Sequence, residues 1–130
     1  MRQTGKLLSF FSGTSLGDEG EKIACQHLKK SGYSIILRNF RCRSGEVDII
    51  ARHKGVLVFI EVKTRRSESF GSPAAAVTLR KQRQIAKAAL EYLARENLFD
   101  TEARFDVVSI LVSATGEPQI EIITSAFELG

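Results

Sequence analysis

Gly45-Glu46-Val47-Asp48-Ile49-Ile50-Ala51-Arg52-His53-Lys54-Gly55-Val56-Leu57-Val58-Phe59-Ile60-Glu61-Val62-Lys63-Thr64 is the stretch that decides the fold. Lys54-Gly55 separates two runs rich in β-branched residues, which predicts a hairpin with strands over about 46–51 and 56–64. Val56 to Ile60 is apolar at every position, so the second strand is expected to be central and covered on both faces. Working toward the N-terminus, Ser44-Gly45 reads as a turn, and Tyr33 to Leu37 as a third strand before it. Leu16, Ile23, Ala24 and Leu28 recur at helical spacing, predicting an amphipathic helix over 16–31 that follows a Ser15/Asp18 capping pattern and ends at Ser31-Gly32.

Working toward the C-terminus, residues 65–72 read as a polar loop. A long helix over about 78–97 follows, with Leu79, Ile85, Ala86, Ala89, Leu90 and Leu93 as its buried stripe and Arg80, Lys81, Arg83 and Lys87 largely off it. Two strands close the pattern, Arg104 to Val112 and Gln119 to Thr124, joined by a Gly116-Glu117-Pro118 turn. The order α-β-β-β-α-β-β predicts an α/β domain: a mixed central sheet flanked by helices. Residues 1–14 show no sustained periodicity and read as a loose arm, leaving 15–130 as a single domain.

The chain's 130 residues are 43% hydrophobic and 26% charged, the composition of a globular domain. No stretch approaches the ~18 apolar residues of a membrane span, and Leu7-Leu8-Ser9-Phe10-Phe11 is too short for a signal-peptide core. Cys25 and Cys42 lie 17 residues apart without a CxxC pattern, which argues against a disulfide scaffold or zinc ribbon and fits a cytoplasmic setting. Charge is polarised. Residues 100–130 sum to −5 and residues 1–99 to +9, within an overall +4. A basic region of this kind suits a polyanionic partner, because clustered Lys and Arg release counterions from phosphates; an ordinary solvated surface is the competing reading.

The chemistry concentrates in the central hairpin. Alternation along a strand puts Glu46 and Asp48 on one face, and Glu61 and Lys63 likewise share a face. Ionised groups in a covered strand are costly to desolvate unless paired or metal-bound. Two carboxylates with a backbone carbonyl suit Mg²⁺, with the lysine placed to orient a water or to stabilise phosphoryl charge. A cross-strand ion pair between Asp48 and Lys63 satisfies the same spacing and stays open as the alternative.

Asp48-Ile49-Ile50-Ala51, thirteen residues before Glu61 in Glu61-Val62-Lys63-Thr64-Arg65, resembles the PD-(D/E)XK nuclease signature as found in archaeal Holliday-junction resolvases. The chain as a whole more closely resembles the YraN-like family of that superfamily. The resemblance rests on Gly17-xx-Gly20-Glu21-xx-Ala24, Arg38-Asn39-Phe40-Arg41, Gly45 to Asp48, Phe59 to Arg65, Arg104-Phe105-Asp106-Val107 and Ala126-Phe127. It implies a restriction-endonuclease-like fold and Mg²⁺- or Mn²⁺-dependent hydrolysis of DNA, branched or structured DNA included. It implies a metal held by Asp48, Glu61 and the Val62 carbonyl, with Glu21 assisting, Lys63 as catalytic lysine, and a possible homodimer. Val47 stands where the motif has proline.

Arg38, Arg41, Arg43, Arg65 and Arg66 flank these residues and are candidates for phosphate contact, with a solvated basic rim as the alternative. Glu46 is either a further ligand or a partner for Arg41 or Arg43. Lys81 is expected to face solvent, Asp106 to pair with Arg104 or another arginine, and Cys25 to fill the core. His27 and His53 are read as structural or surface residues, and Ser44 as part of a turn. The rival to a nuclease is a nucleic-acid-binding module that keeps the fold without catalysis; a pure interaction protein is disfavoured by the paired acids and lysine.

Overall fold

The computed structural model describes residues 16–66, 77–112 and 116–128. The arm over 1–14, the Ser15 cap and most of the loop over 65–72 lie outside these residues. Seven elements follow in the expected order: α1 (Leu16–Lys30), β1 (Ser34–Cys42), β2 (Gly45–His53), β3 (Val56–Arg65), α2 (Leu79–Arg95), β4 (Ala103–Leu111) and β5 (Gln119–Phe127). The strands form one five-stranded sheet in the order β1-β2-β3-β4-β5. All neighbours are antiparallel except β3 and β4, which are parallel. Parallel neighbours need a crossover, and α2 supplies it.

Each face of the sheet has its own core. Ala24, Cys25 and Leu28 of α1 pack with Ile49, Val58, Ile60 and Val108 on one side. Ile85, Ala89 and Tyr92 of α2 pack with Phe40, Val47, Phe59 and Phe105 on the other. Leu57 to Ile60 of β3 are all essentially inaccessible, as expected of a strand covered twice. Lys54 and Gly55 both take positive φ (52° and 81°), which gives the tight β2–β3 turn a twist that matches the strands.

Two expectations need correcting. The buried stripe of α2 holds Ile85, Ala86 and Ala89 as expected and adds Ala88 and Tyr92, while Leu79 and Leu90 are 65% and 48% exposed. Tyr92 sets this rotation by standing edge-on to both Phe40 and Phe59. β1 and β5 also run several residues past the expected ends, to Cys42 and Phe127. Both are edge strands whose outer halves face solvent, so polar residues such as Arg38, Asn39, Thr124 and Ser125 do not interrupt them.

At the end of the sheet where β2 turns into β3, Asp106 is fully buried and well satisfied. It accepts from Tyr33 Oη at 2.8 Å, Arg104 Nε at 2.9 Å and the Ser125 N–H at 3.0 Å. His53 stacks on the Tyr33 ring and lies 2.8 Å from Arg104 Nη2. The expected Asp106–Arg104 pair is therefore present. Tyr33→Phe removes a donor to a buried charge and is expected to cost about 1.5–3 kcal/mol in urea denaturation.

α1 sits close to the sheet because Gly20 permits it. A Cβ at Gly20 would stand 2.1 Å from Thr64 Oγ1 and 3.3 Å from Thr64 Cβ. Gly20→Ala is expected to destabilise by about 1–3 kcal/mol through overpacking, and by less in a Thr64→Ala background. Additive losses in the double mutant would contradict this contact.

Candidate functional site: an acid pair where two strands part

The β2–β3 ladder runs from His53↔Val56 to Ile49↔Ile60 and stops there. Each strand stays held on its other side, β2 to β1 as far as Gly45 and β3 to β4 as far as Arg65. A wedge thus opens between two strands that cannot follow one another. Asp48 fills it: the Val62 backbone N–H, which has lost its ladder partner, donates to Asp48 Oδ2 at 2.8 Å.

Simple alternation fails at this rung. Val47 packs in the α2-side core and Ile49 in the α1-side core, although they are two residues apart. The facing strand changes sides at the same place. Phe40 belongs to the α2-side core, whereas the Arg38 guanidinium lies 3.6 Å from Glu21 Oε1 on α1. Asn39, opposite Asp48 in register, absorbs the turn with φ 55°, a conformation asparagine tolerates better than most residues. The even alternation from which Glu46 and Asp48 were expected to share a face does not hold from Val47 to Ile49. The Glu46 carboxylate accepts from Arg41 Nε at 3.1 Å, which selects one of the two roles left open for it.

Asp48 and Glu61 share a hydrogen bond, and burial raises the pKa of both carboxyls. For Glu61 the negative charge of Asp48 adds to burial and pushes the value up to about 8, against opposing pulls from Lys81 and Lys63. Two carboxyls this close cannot both ionise cheaply, which favours a proton on the pair. Glu21 belongs to the same field. Burial and the Asp48 charge raise it, while Arg38 and a hydrogen bond with Asn39 pull the other way. Glu61 Oε1 and Glu21 Oε1 are buried without hydrogen-bond partners among the described residues.

The cross-strand ion pair between Asp48 and Lys63 is not among the salt bridges of the described residues. The Lys63 side chain is half-buried, and its charge is felt by Glu61. Of the five arginines, Arg38 pairs with Glu21 and the other four divide into two groups. Arg41 and Arg43 lie at the tip of the β1–β2 hairpin, while Arg65 ends β3 and Arg66 follows it, exposed. Lys81, expected to face solvent, is half-buried, and its charge is felt by both Asp48 and Glu61.

The donor set is all oxygen, which fits a hard divalent cation, and a buried, proton-sharing carboxyl pair with an unpartnered oxygen gains from one. Among the described residues, no group of three or more His, Cys, Asp or Glu side chains is gathered closely enough to hold a metal unaided. An ion held by Asp48 and Glu61 would therefore keep waters or take substrate oxygens for its remaining positions, as Mg²⁺ usually does.

A mixed sheet that parts around a pair of carboxyls, flanked by basic side chains, defines the class: a small α/β domain with an acid pair between two strands. Residues 20–110 match the family described as "Uncharacterised protein family UPF0102", and the chain belongs to that family. It is 58% identical over 115 residues to a UPF0102 protein of Geotalea uraniireducens, covering 88% of this chain and 91% of the relative. A UPF0102 protein of Geobacter sulfurreducens is 55% identical (88% and 89% covered), and one of Symbiobacterium thermophilum 48% (86% and 95%). Among the described residues, no helix is long and apolar enough to cross a membrane.

Proposed function

We propose that this protein is a metal-dependent endonuclease of the PD-(D/E)XK type that hydrolyses phosphodiester bonds in DNA, at branched or structured sites. One observation carries the reading: where the β2–β3 ladder stops, Asp48 is held by the Val62 N–H at 2.8 Å, and the neighbouring Glu61 Oε1 is buried with no hydrogen-bond partner among the described residues. Asp48, Glu61 and the Val62 carbonyl would hold Mg²⁺ or Mn²⁺. Such an ion supplies Lewis acidity and lowers the pKa of a bound water. The Val62 N–H fixes Asp48 for this role, and Glu61 would have to be ionised to serve as the second ligand. Glu21, from the facing helix, adds negative charge and would orient a water. Lys63, on the Glu61 side of β3, holds its ammonium toward the phosphoryl oxygens. Arg41, Arg43, Arg65 and Arg66 would contact flanking phosphates. Two free cysteines accord with a cytoplasmic setting.

The test is incubation of purified protein with Mg²⁺ or Mn²⁺ and labelled linear, flapped and four-way DNA. Cleavage by the wild type and none by Asp48→Asn is expected. A second reading, a nucleic-acid-binding module without catalysis, is favoured by the absence among the described residues of a three-ligand cluster. Wild-type protein that binds DNA and cuts none of the panel would select it.

A further inference from the structure

We propose that the groove between the β1–β2 hairpin tip and the first turns of α2 binds a backbone phosphate of the DNA strand, with Arg43 and Lys81 as its ligands. This inference rests on the nucleic-acid reading above and gives that site a second, non-reacting contact.

The hairpin closes on Arg43-Ser44, with Cys42 paired to Gly45. Its tip is pressed against α2, since a Cβ on Gly45 would stand 2.7 Å from the Gln84 carbonyl oxygen. Beside this contact lies an open groove of about 380 Å³, lined by Arg41, Arg43, Ser44, Glu46, Lys81 and Gln84 among others. Three cations and one carboxylate give it a positive balance. Glu46 is already engaged by Arg41 at 3.1 Å, and neither Arg43 nor Lys81 is in a salt bridge among the described residues. Two cationic side chains lining one polar groove are suited to a phosphate.

Lys81 ties the groove to the acid pair, because its charge is felt by both Asp48 and Glu61. Along β2, Gly45 and Asp48 are separated by roughly 10 Å at ~3.3 Å per residue. A DNA strand, whose phosphates each rise ~3.4 Å along the duplex axis, covers that distance within a few nucleotides, so one strand reaches both places. Placement on the helix is a second sign. The first turn of α2 carries no acid, and Thr78 caps it by accepting from the Lys81 N–H at 3.1 Å. Basic residues there oppose the helix dipole, a local cost that an anionic ligand would offset.

The experiment is fluorescence anisotropy of a labelled DNA duplex in metal-free buffer across a salt series, so that cleavage plays no part. Lys81→Gln and Arg43→Gln should each weaken binding several-fold and reduce the log–log salt slope by about 0.9. Lys81→Arg should restore most of the loss. Lys54→Gln, at the exposed β2–β3 turn, should bind as wild type. Wild-type affinity and slope in both Lys81→Gln and Arg43→Gln would overturn the groove and leave the nuclease reading standing. A wild type that binds no duplex at any salt would overturn groove and nucleic-acid reading together, while metal titration still judges the acid pair separately.

Discussion

Lys63→Ala is expected to cut DNA roughly 10²–10³-fold more slowly than wild type while binding it nearly as well. Removing one positive group aimed at developing phosphoryl charge forfeits about 3–4 kcal/mol of transition-state stabilisation. Binding suffers little, because one phosphate contact among several carries a small share of the affinity. The two parameters must be read on one preparation together with the melting temperature, since Lys63 also lies within the field of Glu61. A mutant that cuts at the wild-type rate would remove Lys63 from the mechanism. Equal losses of binding and cleavage would reduce it to a phosphate contact.

Glu61→Gln is expected to melt several degrees above wild type in metal-free buffer at pH 9, and to lose the stabilisation that Mn²⁺ gives the wild type. In the folded chain the Glu61 carboxyl is pushed from 4.5 to about 8 by burial and the Asp48 charge. A carboxyl raised in this way holds its proton more tightly folded than unfolded. Between pH 4.5 and about 8 the native state therefore binds more protons, and stability falls as pH rises through that window. At 1.36 kcal/mol per pKa unit the loss amounts to a few kcal/mol by pH 9. Glutamine keeps the shape, cannot ionise, and is expected to flatten that part of the pH–stability curve. A cation does for wild type what the mutation does for the metal-free protein, so its benefit should grow from pH 6 to pH 9. Identical pH–stability curves for the two proteins would show that the pair is not a store of electrostatic strain.

The α-β-β-β-α-β-β order was legible because its signals are local. The apolar run Val56 to Ile60 marks a doubly covered strand, and Lys54-Gly55 marks its turn. The acid pair was legible as a spacing: Asp48 and Glu61 fall on neighbouring strands of one hairpin. The wedge that brings them together was not. It depends on β2 and β3 each being held by a different outer neighbour, and on Asn39 turning the opposite strand, neither of which a period of two can announce. The stripe of α2 was read correctly at Ile85, Ala86 and Ala89 but took in the exposed Leu79 and Leu90 and missed Ala88 and Tyr92, because leucine outweighs alanine in an apolar count whereas close helix–sheet approach favours alanine. Lys81 was passed over as one of four basic residues on the helix. The available sign was its place in a first turn without acids, where a cation works against the helix dipole.

Calorimetric titration of Mn²⁺ into wild type, Asp48→Asn and Glu61→Gln at pH 7, repeated in two buffers of different ionisation enthalpy, tests the acid pair most directly. A cation displacing the shared proton should give saturable heat in the wild type, with a buffer-dependent component corresponding to about one proton released. Asp48→Asn should lose the binding, and Glu61→Gln should lose both the proton release and most of the affinity. Equal heats in all three proteins, or binding in the wild type without proton release, would contradict a metal-holding carboxyl pair between β2 and β3.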